Sequence, residues 1–540
     1  MAEQSEAMFH TAVACYRGGA YDRARSICGA LLDSFPDHVG VLGLLGAVEL
    51  QRKDHHAAVA ALAKATALAP MDPGILCNLG IAYRGAGQWG DARTCLEQVL
   101  QSHPGHEAAR FNLALAERDG GAPEAALAQL QTVLDQNPQH NGAWLNRARI
   151  EAALQHHDAA HDAYYQLTLL EPASMEGHRG MAVMARRLGN YDAALAAFDK
   201  VIKINPDDGD AHAGRANILA DLERFEDAAA AGVLGLKCNP NAASLWSVQA
   251  WILLQLGRLD DALAACRRAI EIDPDFTPAR YHLGLIQQAV GDLPSAVQAL
   301  EGAIAQNPRY VRALATLGLV HAGQGDNAAA GRIFDHDGMV GLHPITDVPG
   351  YDNITQFNLA LTGHLHNHSS LMWNRPNRST IDGSQTLDIA ADQAGPVTAL
   401  RGVIDHAVAA HLAAMGQRDK SGFYDHPPKD WDLVIWGVVL KSGGHQDPHN
   451  HPSGYLSGVY YLNVPDEVGQ NGAEAGCLEF GLSNVMGRDG AFLAAGQRRV
   501  VRPEAGLMAL FPSYFWHRTL PFQSQTERIC VAFDVFSLET

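Results

Sequence analysis

Residues 443–465, GGHQDPHNHPSGYLSGVYYLNVP, decide how the C-terminal part of the chain is read. His445, Asp447, His449 and His451 alternate at every second residue. In an extended chain, side chains two apart point to one face. A strand here therefore predicts several ligand-type groups aimed into one pocket. The run Leu456-Ser457-Gly458-Val459-Tyr460-Tyr461-Leu462 follows, β-branched and aromatic as strands are. A further histidine, His517, lies in FPSYFWHRTLP, and Arg528 stands eleven residues beyond it.

Working outward, the texture from Trp431 onward is that of short strands. WDLVIWGVVL, the histidine-rich segment, LSGVYYLNV, GCLEF, QRRVVRP, GLMALFP, the surroundings of His517 and RICVAFDVF make eight candidates separated by glycine and proline turns. That pattern predicts a double-sheet jelly roll, the double-stranded β-helix. Upstream, ITQFNLALTGHLHNHSSLMW from Ile354 and the stretch 395–416 have helical spacing, and NRPNRSTIDGSQT between them reads as a loop. His364, His366 and His368 fall in the first of these. Helical neighbours two apart do not share a face, so they are read as surface or packing residues.

The N-terminal part is a repeat. Prolines recur at 36, 70, 104, 138, 172, 206, 240, 274 and 308, always 34 residues apart. Alanines recur in the same step from 24 to 330. A third column is always small: Ala12, Gly46, Gly80, Ala114, Ala148, Ala182, Ala216, Ala250, Gly284 and Gly318. Small residues let two helices approach closely, and the proline ends one helix and starts the next turn. From about residue 7 to about residue 334 the chain resembles the tetratricopeptide repeat family. The resemblance implies an all-α superhelix of about ten helix-turn-helix units with a concave groove. The expected organisation is a repeat array over 1–336, a connector over 337–353, and a jelly-roll domain with an N-terminal helical segment over 354–540.

Asn78, Asn112 and Asn146 share one column of three successive units. An amide can bond both the N–H and the C=O of an extended peptide. The three are therefore candidate peptide-binding residues, a use the repeat resemblance also implies. Gly180, Gly214, Val248, His282 and Thr316 continue the column, so any ladder covers only part of the array.

A formal net charge of -19 argues against nucleic acid, since phosphate binding needs a basic face. The eight cysteines form no CxxC pair and read as free thiols in a reducing compartment. The N-terminal residues lack a basic segment followed by an apolar core, and no run of about eighteen apolar residues occurs. A cytoplasmic chain without a membrane span is the expectation.

Through PHNHPSGYLSGVYYLNVP, FPSYFWH and the arginine after it, the chain resembles the iron(II)- and 2-oxoglutarate-dependent oxygenases. The nearer likeness is to the oxygenase family found after tetratricopeptide arrays in bacteria. It covers roughly 345–540, with its specific motifs within 443–536. A more distant likeness, through YYLN and AGCLEF, is to prolyl hydroxylases. The resemblance implies a metal set of His449, His451 and His517, also the catalytic set. It implies Arg528 and Tyr461 on the distal carboxylate of 2-oxoglutarate, and dioxygen as the second co-substrate. Iron(II) takes imidazole and oxygen ligands, and three facial ligands leave three positions open. Arg528 suits a far carboxylate because its planar fork pairs with two oxygens.

One departure matters. The superfamily usually pairs histidine with a carboxylate, and here that position is His451. Three neutral histidines can hold iron(II), with one negative charge fewer. Asp447 with His449 and His517 is an alternative set, and His445-Gln446-Asp447 is itself an HxD. The leading expectation is a hydroxylase acting on a peptide or protein recruited by the groove. The alternatives are a non-catalytic scaffold with a degenerate jelly roll, and a three-histidine iron enzyme that does not use 2-oxoglutarate.

Overall fold

The computed structural model describes residues 2–538 apart from 155, 376–377, 391, 393–394, 417–420, 471–472 and 487–491. The chain divides into two compact units, Met1–Asn239 and Pro240–Thr540. Among the described residues no helix is long and apolar enough to cross a membrane.

The first unit is built of helix pairs such as Val39–Gln51 with His55–Leu68 and Pro73–Gly85 with Trp89–Ser102. The small column lies where the two helices of a pair cross. Ala114, Ala148, Ala182 and Ala216 are wholly buried, and a Cβ on Gly46 would stand 2.2 Å from Leu62 Cγ. A further column fixes the helix starts. His38, Asp72, His106, His140, Ser174 and Asp208, each 34 residues on, accept with their side chains the N–H three residues later. Such caps satisfy N–H groups that the helix leaves without a partner.

The second unit opens with further pairs, Ala243–Gln255 with Leu259–Ile272 and Thr277–Val290 with Leu293–Gln306. The last pair is Val311–Gln324 with a helix of only seven residues, Asn327–Ile333. Phe334 then turns into the space over Gly318 and joins one continuous apolar core with the sheet that follows. The Tyr514 hydroxyl donates to the Ile333 carbonyl at 2.9 Å. His336 Nδ1 meets the Gln497 carbonyl at 2.6 Å, and the Arg499 guanidinium donates to the His336 carbonyl. Within this unit the end of the array is part of the sheet's own packing.

The sheet has strands β1 Gly341–Pro344, β2 Met372–Trp373, β3 Thr380–Gln385, β4 Trp431–His449, β5 Leu456–Asn463, β6 Leu478–Met486, β7 Phe492–Val501, β8 Leu507–Pro512, β9 His517–Thr519 and β10 Arg528–Ser537. All pairings are antiparallel, in the order β1-β8-β5-β10-β4-β9-β6-β7, with β3 on β4 and β2 on β3. The curled antiparallel sheet is jelly-roll-like. Helices Ile354–Asn367 and Gly395–Met415 flank it, as the spacing predicts.

Three strands lie where the sequence predicts none. β1 falls in the stretch read as a connector and pairs with β8. β2 and β3 occupy the end of the first helical stretch and the loop after it. These segments are short, and pairing with neighbouring strands holds them extended. Conversely, two predicted strands are one. β4 pairs along 431–440 with β10, and through Gln446 and His449 with β9. The change of partner falls at Gly443 and Gly444. Gly443 has φ +87°, open to glycine at little cost. A Cβ on Gly444 would lie 2.8 Å from the carbonyl oxygens of both Asp382 and Lys441. Beyond this bend the histidine segment pairs with β9 instead of β10.

Candidate metal centre

The bend sets His449 directly across from His517, cross-strand partners of β4 and β9. Their ring centroids are 4.3 Å apart, and His451 lies 5.2 Å from each. One nitrogen from each ring falls within 4.8 Å of the other two. The Nδ1 atoms are engaged outward: His449 with the Asp447 carbonyl at 2.7 Å, His517 with the Phe515 carbonyl at 3.0 Å, and His451 with Asp534 Oδ2 at 2.8 Å. A carbonyl or carboxylate can only accept, so each Nδ1 carries a proton and Nε2 is the atom left to serve as ligand. Nε2 of His451 is buried without a partner. Burial, reinforced by His451, pushes His449 down to about 3. Burial, reinforced by His449 and His451, pushes His517 well down. Three converging imidazoles with fixed outer hydrogen bonds are the donor set a transition metal takes.

The expected spacing of two explains only part of this. His449 is the last residue of β4, and His451 lies in the turn beyond it, its N–H on the Ser513 carbonyl at 2.9 Å. His445 stands outside the cluster. The Asp447 carboxylate is 62% exposed and faces His445 at 3.8 Å. Only the backbone carbonyl of Asp447 touches the centre, so the alternative set with Asp447 is not the one assembled here.

Away from the imidazoles, one face of β10 presents Arg528, Cys530, Ala532 and Asp534, and the facing residues of β5 are Ser457, Val459 and Tyr461. Arg528 is 1% exposed. Its guanidinium lies over the Tyr461 ring at 5.0 Å and reaches Cys530 Sγ at 3.7 Å. Its Nε and the Tyr461 hydroxyl have no hydrogen-bond partner, and among the described residues no carboxylate pairs with the guanidinium. Burial pushes the Tyr461 phenol up. An unpaired guanidinium and a lone phenol in a buried cleft fit an anionic carboxylate, while the imidazole set fits the metal.

Trp436, Gln446, His449 and His451 stand between two cavities. The inner one, with Tyr461 and Arg528 in its wall, leaves about 30 Å³ as the side chains stand. That is room for a water. The outer one is an open basin of about 320 Å³ bounded by Arg378, Ser379, Gln385, Asn450 and Ser453. Gln446 is held in the dividing wall, accepting from Thr519 Oγ1 at 3.1 Å and donating to Thr380 Oγ1 at 3.3 Å.

The asparagine column is less open than its spacing suggests. Asn146 is buried, donating to the Gly142 carbonyl and accepting from Arg118. Asn112 gives its amide N–H to the Ala108 carbonyl of its own helix. Asn78 is half-buried. A second cluster, His364, His368 and Asp392, joins histidines four apart rather than two, and four apart does share a helix face. Asp392 Oδ2 hydrogen-bonds His364 Nε2 at 2.8 Å and lies 3.2 Å from His368 Nε2. Sequence reading gave no role to Gln446 or Asp534. Only Asp534 left a signal, as one acid inside the apolar run RICVAFDVF.

A helical repeat array followed by a jelly-roll-like sheet with three converging imidazoles defines the class of protein. Comparison with known families agrees. Residues 434–534 match the family described as "Putative 2OG-Fe(II) oxygenase". Tetratricopeptide repeat models match 6–38, 77–131, 119–175, 185–252, 243–276 and 281–335. The chain joins a tetratricopeptide repeat array to a C-terminal domain that matches the 2OG-Fe(II) oxygenase family model. No curated protein matches it. Among solved structures it is similar to a tetratricopeptide repeat protein from Parabacteroides merdae, with 22% identity, 46% of this chain and 98% of that one covered, and a TM-score of 0.36. Yeast Tom70 gives 16%, 62%, 92% and 0.35. YrrB, titled a TPR protein with an unusual peptide-binding site, gives 20%, 34%, 95% and 0.29. At these TM-scores the likenesses carry no functional argument.

Proposed function

We propose that the C-terminal domain is an iron(II)- and 2-oxoglutarate-dependent dioxygenase that hydroxylates a peptide or protein gathered by the repeat array. The observation that carries this reading is Arg528: a guanidinium buried to 1% exposure, without a carboxylate partner among the described residues, opening on the cavity that also holds the three imidazoles. Taking such a charge out of water costs several kcal/mol unless an anion meets it. A dicarboxylate that also reaches the metal is the economical explanation.

In this reading Nε2 of His449, His451 and His517 hold the metal, and the backbone carbonyls behind His449 and His517 keep those lone pairs turned inward. Arg528 and the Tyr461 hydroxyl receive the far carboxylate of the keto-acid. Seating it requires side chains of the inner cavity to give way, since only about 30 Å³ is free as they stand. When bound, iron(II) with 2-oxoglutarate supplies oxidation of a C–H bond by dioxygen, coupled to loss of carbon dioxide from the keto-acid. Gln446 and Trp436 separate that compartment from the outer basin, where the substrate group enters. The apolar inner wall, with Val459, Leu478 and Phe511, limits water around the metal. Asn78, the least engaged of its column, is the first array residue to test for peptide contact.

The direct test is anaerobic addition of iron(II) and 2-oxoglutarate with optical detection of the metal-to-ligand band. The band is expected in the parent and lost in His517→Ala. Fully reconstituted parent that shows neither band nor succinate release would overturn the proposal.

A further inference from the structure

Asp534 sits on β10 opposite Ser457 of β5 and is 8% exposed. Its Oδ1 accepts from the Ser457 hydroxyl at 2.6 Å, and its Oδ2 accepts from His451 Nδ1 at 2.8 Å. The Trp436 ring stacks on the His451 imidazole, with centroids 5.6 Å apart and planes 16° from parallel. The ring is thus fixed in plane and in tautomer, with its orphaned Nε2 turned to His449 and His517.

The three histidines are not backed alike. His449 and His517 lean on backbone carbonyls, which are neutral. His451 alone leans on a carboxylate. It is also the histidine standing where the resemblance leads one to expect an acidic ligand. A full negative charge one hydrogen bond behind a ligand makes the imidazole a stronger donor and offsets the metal's charge at close range.

We propose that Asp534 is a positioning residue that returns to the centre, through His451, the negative charge that an all-imidazole set lacks. The inference rests on the metal-centre reading above. It predicts that the charge of residue 534, and not only its shape, sets divalent-metal affinity.

The test is cobalt(II) binding to the full-length chain, followed by titration and by the visible ligand-field bands. Asp534→Asn keeps the size and a hydrogen bond to Ser457 and removes the charge. A ~10–100-fold loss of cobalt(II) affinity with shifted bands is expected, while the metal-free melting temperature stays near the parent's. Asp534→Glu and Asp534→Gln form a second pair of equal length that differs only in charge. The glutamate variant is expected to bind at least tenfold more tightly than the glutamine variant, and this pair decides the matter if the asparagine variant does not fold. His449→Ala separates the two levels of the argument. If the parent binds no cobalt(II), or His449→Ala binds it as well as the parent, the metal-centre reading fails and this inference with it. If His449→Ala abolishes binding while the charged and neutral variants bind equally with unchanged bands, the metal centre stands and the role of Asp534 is overturned.

Discussion

Replacing Arg528 by methionine separates two explanations of a buried cation. If Arg528 were an ordinary structural charge with a partner inside the protein, removing it would strand that partner at a cost of about 3–5 kcal/mol. No carboxylate pairs with it among the described residues; its neighbours are the Tyr461 ring at 5.0 Å and Cys530 Sγ at 3.7 Å. The variant therefore gives up a desolvated, unpaired charge and gains an apolar side chain of lesser volume, two terms of opposite sign. The metal-free, ligand-free stability is expected to change by less than about 2 kcal/mol in either direction. Affinity for 2-oxoglutarate behaves quite differently. Truncating one partner of a buried charge pair costs about 2–5 kcal/mol, or ~30- to 5,000-fold in dissociation constant. The assay is urea unfolding of parent and variant without ligand, beside anaerobic titration of 2-oxoglutarate into the iron(II)-loaded forms. A variant that binds 2-oxoglutarate as the parent does, or that unfolds several kcal/mol more easily without it, would refute the reasoning.

Gly444→Ala drives a Cβ to 2.8 Å from two backbone oxygens at the β4 bend. A loss of about 1–3 kcal/mol is expected, with weakened cobalt(II) binding because His449 is re-aimed; unchanged binding would detach the bend from the site. Burial first of all depresses His282 and His336 to about 4 and His411 to about 3, with His343 adding to the last. These rings stay neutral in the fold while the unfolded chain takes up protons below about 6.5, so stability is full above that pH and falls as pH drops toward 4, by up to about 1.4 kcal/mol per pH unit for each. Urea midpoints at pH 8, 6 and 5 measure it, and His282→Gln should take one histidine's share off the slope. A fragment starting at residue 354 loses β1 and leaves the cavity of Phe334, Met339, Val340 and Val348 in the core; it is expected not to give a cooperative thermal transition, whereas 240–540 should.

What the sequence disclosed followed from periodicity. The 34-residue step is a direct image of repeated packing, because the crossing at Gly46 or Ala148 admits nothing larger. The histidines were legible as residue types, and His449, His451 and His517 do converge. Their geometry was not, because it depends on a partner switch at Gly443 and Gly444 that no strand period encodes. His451 meets the cluster from a turn, not from the alternating face that spacing suggests. β1, β2 and β3 were invisible because strands of only two to six residues are held by their neighbours rather than by propensity. Asp534 was hidden because its partners, Ser457 and His451, lie 77 and 83 residues away. The asparagine column shows the opposite limit: a clear repeat in sequence, yet Asn146 is spent on Arg118 and its own helix.

The charges of the proposed centre give the departure from the usual acidic ligand a physical meaning. A divalent metal on three neutral imidazoles carries two positive charges into a buried cleft, and Arg528 adds a third. The keto-diacid brings two negative charges, one end on the metal and the other on the guanidinium. One positive charge would then remain without water to spread it, which is costly at low dielectric. Among the described residues Asp534 is the one acid that contacts the imidazole set through its carboxylate, and it closes the balance through His451. Placing that acid behind a ligand rather than on the metal leaves coordination to nitrogen alone while keeping the loaded site neutral. It follows that Arg528→Met and Asp534→Asn should partly compensate each other in metal affinity, since one removes a positive and the other a negative charge from the same cleft. Cobalt(II) titration of both single variants and the double variant measures this; an Arg528→Met variant that binds no more tightly than the parent, or a double variant that binds no more tightly than Asp534→Asn, would mean that the two groups do not act on one electrostatic site.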